Sequence, residues 1–219
     1  MSFQRFIFDS GKILIFIVLL LGIFRYRRFS KGIIYVFYYV LLGAISQIAI
    51  VIYSAYIGMN NMPIGHLYVS VSTLILCFFY LNVLEGYVYK SIMKAFITGF
   101  IVFAFVNPFL IQSIYKYPNF VGAFGALILT IFSILMFSKI MTEAKIEKLG
   151  NDPLVWINTG ILFFYAGSFF YNILYNVIVA YSIDFARQMS VLFAFFNIVL
   201  YGLIGIGFLK VRQLNSRNN

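Results

Sequence analysis

Charge is what this chain has least of. Asp, Glu, Lys and Arg make up 10% of its 219 residues, against about 25% in soluble domains. Only six of them are acidic. So few charges cannot cover a water-exposed surface, and no inward pair of carboxylates is available for acid–base hydrolysis. The one cysteine, Cys77, excludes an internal disulfide and a cysteine zinc site. Lying inside an apolar run, it reads as a buried structural thiol. The one histidine, His66, excludes a His-Glu-x-x-His zinc helix. A Gly-x-Ser-x-Gly elbow and a P-loop are also missing. No catalytic residue, metal or cofactor is therefore expected, and the chain does not read as an enzyme.

What fills the space is apolar. Hydrophobic residues make up 63% of the chain and aromatic ones 21%. Crossing a bilayer takes about 20 apolar residues at 1.5 Å rise each. Seven runs meet that length, at about 6–24, 33–57, 66–84, 93–113, 121–139, 154–179 and 189–209. The expected architecture is a single all-α transmembrane domain over 1–219, a polytopic bundle of seven helices. The first run is interrupted by Asp9 and Lys12, which are three apart and can pair on one helix face. It lacks a small-residue cleavage site, and Arg25-Tyr26-Arg27-Arg28 follows it, so it reads as a retained span rather than a signal peptide. If that run lay in the interface instead, six spans would remain and the charge alternation would be lost.

Basic residues fall on alternate loops. One side carries Arg25, Arg27, Arg28, Lys31, Lys90 and Lys94, and further on Lys139, Lys145, Lys148, Lys210, Arg212 and Arg217. The other side carries only Arg5, Lys12, Lys116 and Arg187, which completes all 16. The positive-inside rule predicts a protein that is N-out and C-in, multi-pass in the cytoplasmic (inner) membrane of a bacterium. The +10 formal charge then reflects topology and contact with anionic membrane lipids rather than nucleic-acid binding. Tyr53, Tyr56, Tyr68, Tyr87, Tyr89, Tyr115, Tyr117 and Tyr181 lie near span ends and suit an aromatic belt at headgroup level. Met141 to Lys148 reads as a short helical extension, and Asp152-Pro153 as the N-cap and first turn of the sixth helix.

Polar residues inside spans are the candidates for function. In the sixth span Asn158, Tyr165, Ser168, Asn172 and Asn176 recur on one helix stripe. Such a stripe either faces a cavity that binds a small polar solute or hydrogen-bonds neighbouring helices. Gln47 and Ser46 in the second span, and Asn197 and Tyr201 in the seventh, are its candidate partners. His66, at the outer end of the third span, is a candidate pH sensor or an ordinary headgroup-level residue. Glu85 lies 19 residues further on, about 28 Å along a helix, and is expected to pair with Lys90, Lys94 or the arginine cluster. Asn107-Pro108 should interrupt the fourth helix near its outer third. Gly122 with Ala126, Gly202 with Gly205 and Gly207, and Ala166-Gly167-Ser168 permit close helix contact, inside the bundle or in a homo-oligomer. Lys210 stands at the very end of the seventh span, so a retinal Schiff base of the rhodopsin kind has no central lysine.

A three-plus-one-plus-three parallel repeat is faintly visible. Ile52-Tyr53-Ser54-Ala55-Tyr56 echoes Ile178-Val179-Ala180-Tyr181, and Phe78-Phe79 echoes Phe195-Phe196. The N-out, seven-helix plan at this length resembles sugar transporters of the SWEET type, in architecture alone. His66-Leu67-Tyr68 leading to Phe79-Tyr80, and Asp152-Pro153-Leu154-Val155-Trp156-Ile157-Asn158-Thr159-Gly160 leading to Ala166-Gly167-Ser168, look like small bacterial seven-helix proteins similar to the membrane modules of some sensor kinases. That resemblance implies a sensor or membrane subunit working through a protein partner at its basic cytoplasmic loops. The alternative expectation is a small-solute transporter with a polar site at mid-membrane.

Overall fold

A computed structural model describes residues 3–56, 60–143 and 149–211. Of the charged segment expected as a helical extension, 144–148 lie outside the described residues. Among the described residues there are seven α-helices: α1 (Phe3–Arg25), α2 (Lys31–Tyr56), α3 (Met62–Val83), α4 (Lys90–Leu110), α5 (Asn119–Glu143), α6 (Pro153–Tyr181) and α7 (Ile183–Lys210). Each is long and apolar enough to cross a membrane, so the protein is a multi-pass membrane protein. Among the described residues there is no strand.

Local chemistry sets the helix ends. Asp152 caps α6, accepting from the Leu154 N–H at 2.7 Å, with Pro153 at the first position. Ser182 alone separates α6 from α7: it is extended (φ −158°, ψ 119°) and its hydroxyl accepts from the Phe185 N–H at 3.2 Å. With Asp184 in the first turn, this cap starts α7 six residues earlier than its apolar run suggests. α4 runs through Pro108 and stops two residues later. The Asn107 carbonyl takes both the Ile111 and Gln112 N–H groups there, at 3.0 and 2.8 Å. The expected interruption is therefore the end of the helix. Gly86, at φ +80°, turns the chain after α3.

Two basic residues close helix ends across the bundle. The Lys139 ammonium donates to the carbonyls of Val83 and Glu85 at the end of α3, at 2.8 and 2.9 Å. The Arg25 guanidinium donates to the carbonyls of Leu209 and Val211 at the end of α7, both at 3.1 Å. Each cation meets unpaired carbonyls at the negative end of a helix dipole. Part of the charge on this basic face thus holds the bundle together. Glu85 pairs with Lys90, as expected. That pair, with Lys31 and Lys139 nearby, holds the Glu85 carboxyl below the usual carboxylate range.

The packing forms a ring. α1 packs on α2, α2 on α3, α3 on α5, α5 on α6, α6 on α7, and α7 back on α1. α4 lies outside it, against α3 and α5. Its buried stripe of Met93, Ile97, Phe100 and Asn107 repeats at helical spacing, while Val102, Phe105 and Phe109 stay exposed, as lipid-facing side chains do. Exchanging α1 with α5, α2 with α6 and α3 with α7, each pair four places apart in the chain, returns the same set of neighbours.

The half of the bundle near the basic face is solid. Leu76, Phe79, Ile157, Ile161, Leu200, Ile204 and Phe208 have no exposed surface. Glycine sets the α6–α7 approach: a Cβ on Gly207 would stand 2.6 Å from Ile157 Cγ1 and 3.0 Å from the Pro153 carbonyl oxygen. Without a hydrophobic drive between helices in lipid, such close packing is what associates them.

Candidate functional site

The other half of the ring encloses a cavity of about 300 Å³. All six ring helices line it and α4 does not. On α2, the residues Tyr39, Gly43, Ser46, Gln47 and Ile50 form one stripe at spacings of four, three, one and three, and all of them face it. α3 adds Tyr68, Ser72 and Thr73, α6 adds Tyr165 and Asn172, and α7 adds Asn197 and Tyr201. Lys12 of α1 also lines it, with its side chain 54% exposed.

The floor is made of phenols. Tyr39, Tyr68, Tyr165 and Tyr201 line it together. The Tyr39 and Tyr201 rings stack with centroids 6.2 Å apart. Gly43 makes room for this group, since a Cβ there would lie 2.7 Å from both the Tyr201 hydroxyl and Ile15 Cδ1. Tyr201 is nine residues from Lys210, about 13.5 Å of helix, which sets the floor near mid-bundle. Below it lies the solid core.

Five of the eight ligand-site residues expected from sequence meet at this cavity: Gln47, Tyr165, Asn172, Asn197 and Tyr201. The other three, Asn158, Ser168 and Asn176, do not line it. Asn158, fully buried, accepts at Oδ1 from the Tyr80 hydroxyl at 2.7 Å and the Ser133 hydroxyl at 2.8 Å. Its amide donates to the Ser133 carbonyl at 3.0 Å. Asn176 donates to the Tyr117 carbonyl at 3.0 Å and to Asn119 Oδ1 at 2.8 Å. Ser168, also fully buried, accepts from the Asn172 amide at 3.5 Å. The α6 stripe therefore does both things open to it. Two of its amides join helices, and the middle of it faces space. The bonding partners come from α3, α5 and the segment before α5, rather than from Gln47, Ser46, Asn197 and Tyr201, because α5 covers that face of α6.

Asn172 sits on both sides of this division. Its Oδ1 accepts from the Tyr117 hydroxyl at 2.9 Å, and Gly122 leaves it space, with a Cβ there 3.1 Å away. Tyr117 is enclosed by the rings of Tyr171 and Tyr175, at centroid distances of 5.9 and 4.5 Å. Burial pushes its hydroxyl well above the ordinary phenol range, so it remains a donor. Tyr117 and Tyr68 thus turn inward and are not members of the expected aromatic belt, whereas Tyr56, Tyr89, Tyr115 and Tyr181 are broadly exposed at helix ends. His66 is buried beside the cavity end of α3, bonded through Nε2 to the Lys116 carbonyl at 3.0 Å, and does not line the cavity.

Tyr39, Tyr68, Ser72, Thr73 and Lys12 belong to the site but are not among the residues singled out from sequence as ligand-binding. The α2 stripe carried a readable signal, because its polar and small residues recur at helical spacing. Tyr68 carried none, since a tyrosine six residues into a span looks the same whether it faces lipid headgroups or the ring interior. Chemically, the site offers hydroxyl and amide hydrogen bonds, aromatic walls and one positive charge. Compared with known proteins, the chain matches no family model, no curated protein and no solved structure.

Proposed function

We propose that this protein is a non-enzymatic sensor, or the membrane subunit of a larger assembly. It sits N-out and C-in in the cytoplasmic membrane, binds a small molecule in the ring cavity and presents its basic face to a protein partner. The observation that carries this reading is that the cavity ends blindly. Its tyrosine floor rests on residues with no exposed surface, and the Tyr80–Ser133–Asn158 junction ties α3, α5 and α6 together beneath it. A blind pocket suits a receptor, whose ligand enters and leaves by one route. Bonding of Arg25 and Lys139 to the ends of α7 and α3 also gives a route by which a shift of those helices alters the basic face. The orientation rests on the charge asymmetry of the loops.

Purification in mild detergent, with mass spectrometry of what accompanies the protein, tests the partner. A specific partner should co-purify with the native chain and be lost from Lys90→Gln/Lys94→Gln. Return of the protein alone overturns the reading. Thiol labelling of Tyr115→Cys and Tyr89→Cys in a Cys77→Ser background tests the orientation, with position 115 expected to label from outside the cell.

A small-solute transporter is the second reading, and one observation favours it. The ring maps onto itself when helices four places apart are exchanged, with α4 left outside, the connectivity expected of parallel repeats in transporters. Transport would require the solid half to open. Flux of a cavity-binding solute in proteoliposomes separates the two, because a sensor binds it without moving it.

A further inference from the structure

We infer that the cavity is selective for a small organic monocarboxylate with a compact apolar or aromatic body. This rests on the cavity's being the ligand site proposed above, and goes on to name the class of ligand.

Charge comes first. Among the described residues lining the cavity, Lys12 is the one charged side chain, and none is acidic. Its ammonium lies 3.8 Å from Asp9, and Asp9 lies 3.8 Å from Arg5 as well. One carboxylate thus stands between two cations. A cationic ligand finds no acidic side chain among the described lining residues. A dianion finds one ammonium where it needs two.

Hydrogen bonding comes next. Gln47 and Asn197 line the cavity with no hydrogen-bond partner among the described residues. α1 meets α2 where a Cβ on Gly43 would lie 2.7 Å from Ile15 Cδ1. Lys12 lies three residues and Gln47 four residues beyond that contact toward the same end, about 4.5 and 6 Å, so both stand at similar depth. An ammonium and a free amide at one level are donors suited to the two oxygens of one carboxylate.

Size and surface complete the case. A volume near 300 Å³ stands at the small end of the range for small-molecule sites. That suits a compact ligand. Ile15, Phe164 and Phe193 offer it apolar and aromatic walls, and the tyrosine floor takes any polar group at its far end. The same head chemistry could reach the cavity from a free fatty acid in the membrane or from a dissolved acid.

The test is calorimetric titration of the full-length protein in nanodiscs with three matched probes: phenylacetate, phenylacetamide and protonated phenethylamine. Phenylacetate should bind about tenfold or more tightly than the amide, and the amine should bind least. Lys12→Gln should abolish the preference of acid over amide, and Lys12→Arg should keep it. Equal binding of acid and amine, or a preference unchanged in Lys12→Gln, overturns the inference, as does failure of all three probes to bind. Competition by palmitate would assign the carboxylate to a lipid source, and lack of competition to a solute. Partner co-purification needs no ligand, so the selectivity can fail while the sensor reading stands, and the reverse.

Discussion

Tyr80, Ser133 and Asn158 in the basic half of the bundle, and Tyr39, Tyr68, Tyr165 and Tyr201 with Asn172 and Asn197 in the other half, are built from nearly the same side chains. The first group is solid: every bond runs between helices, and Asn158 is wholly buried. The second surrounds about 300 Å³ of space. The difference lies in what stands beside the polar groups. Large side chains such as Phe79, Ile157, Leu200 and Phe208 fill the ring near the basic face. Gly11, Gly43, Ser46, Ser72 and Gly122 face the ring interior in the other half. Polar residues in a membrane helix therefore act as glue or as a binding surface according to the bulk of their neighbours, and their own chemistry does not decide between the two.

Glycine substitutions test that contrast most strongly. Gly207→Leu meets Ile157 and the Pro153 backbone within 3.0 Å, neither of which can move far. It should cost about 3 kcal/mol, the upper range for overpacking. Gly43→Leu first meets the far ends of Ile15 and Tyr201 and lines the cavity, so it should cost about 1 kcal/mol while blocking the cavity. Thermal unfolding in detergent measures both. Equal losses would mean that the two halves are equally filled.

Asparagine substitutions are the next test. Asn158→Leu strands the Tyr80 and Ser133 hydroxyls in a dry core and should destabilise by about 2 kcal/mol. Asn197→Leu breaks no bond among the described residues and should change stability by less than about 0.5 kcal/mol, while weakening ligand binding. A marked loss of stability from Asn197→Leu would place that amide among the junctions instead.

The smallest effect concerns the basic face. The carboxyl of Glu85 is held below its usual range by Lys90, so the pair contributes stability at neutral pH that disappears as pH falls through the lowered value. This contribution to the melting temperature should be constant from about pH 8 to 6 and be lost only below the ordinary glutamate range. Glu85→Gln should remove that acid-side step and leave the cavity unaffected. A step near neutral pH that Glu85→Gln abolishes would overturn the assignment.

Much of the fold was legible. All seven expected spans overlap the helices of the structure, because span length follows from bilayer thickness and rise per residue. The Asp9–Lys12 and Glu85–Lys90 pairs and the Asp152 cap also follow from short-range spacing. The apolar run of α7 is shorter than the helix because Ser182 acts as a one-residue break, and its capping outweighs the polar residues that follow. The site was half legible. The α6 stripe pointed to Tyr165 and Asn172, yet it also carried Asn158 and Asn176, whose fate depends on α5 lying against them.

The sequence by itself determined seven apolar helices, their approximate ends and the face on which the cations gather, because these depend on hydropathy, local capping and charge counted along the chain. Only the tertiary structure decided that α4 stands outside a six-helix ring, that Tyr68 and Tyr117 turn inward, and that the polar groups of one half enclose space while those of the other half close it. Those outcomes depend on which helix faces which and on how much volume their facing side chains leave. One helix read along its own length does not contain that information.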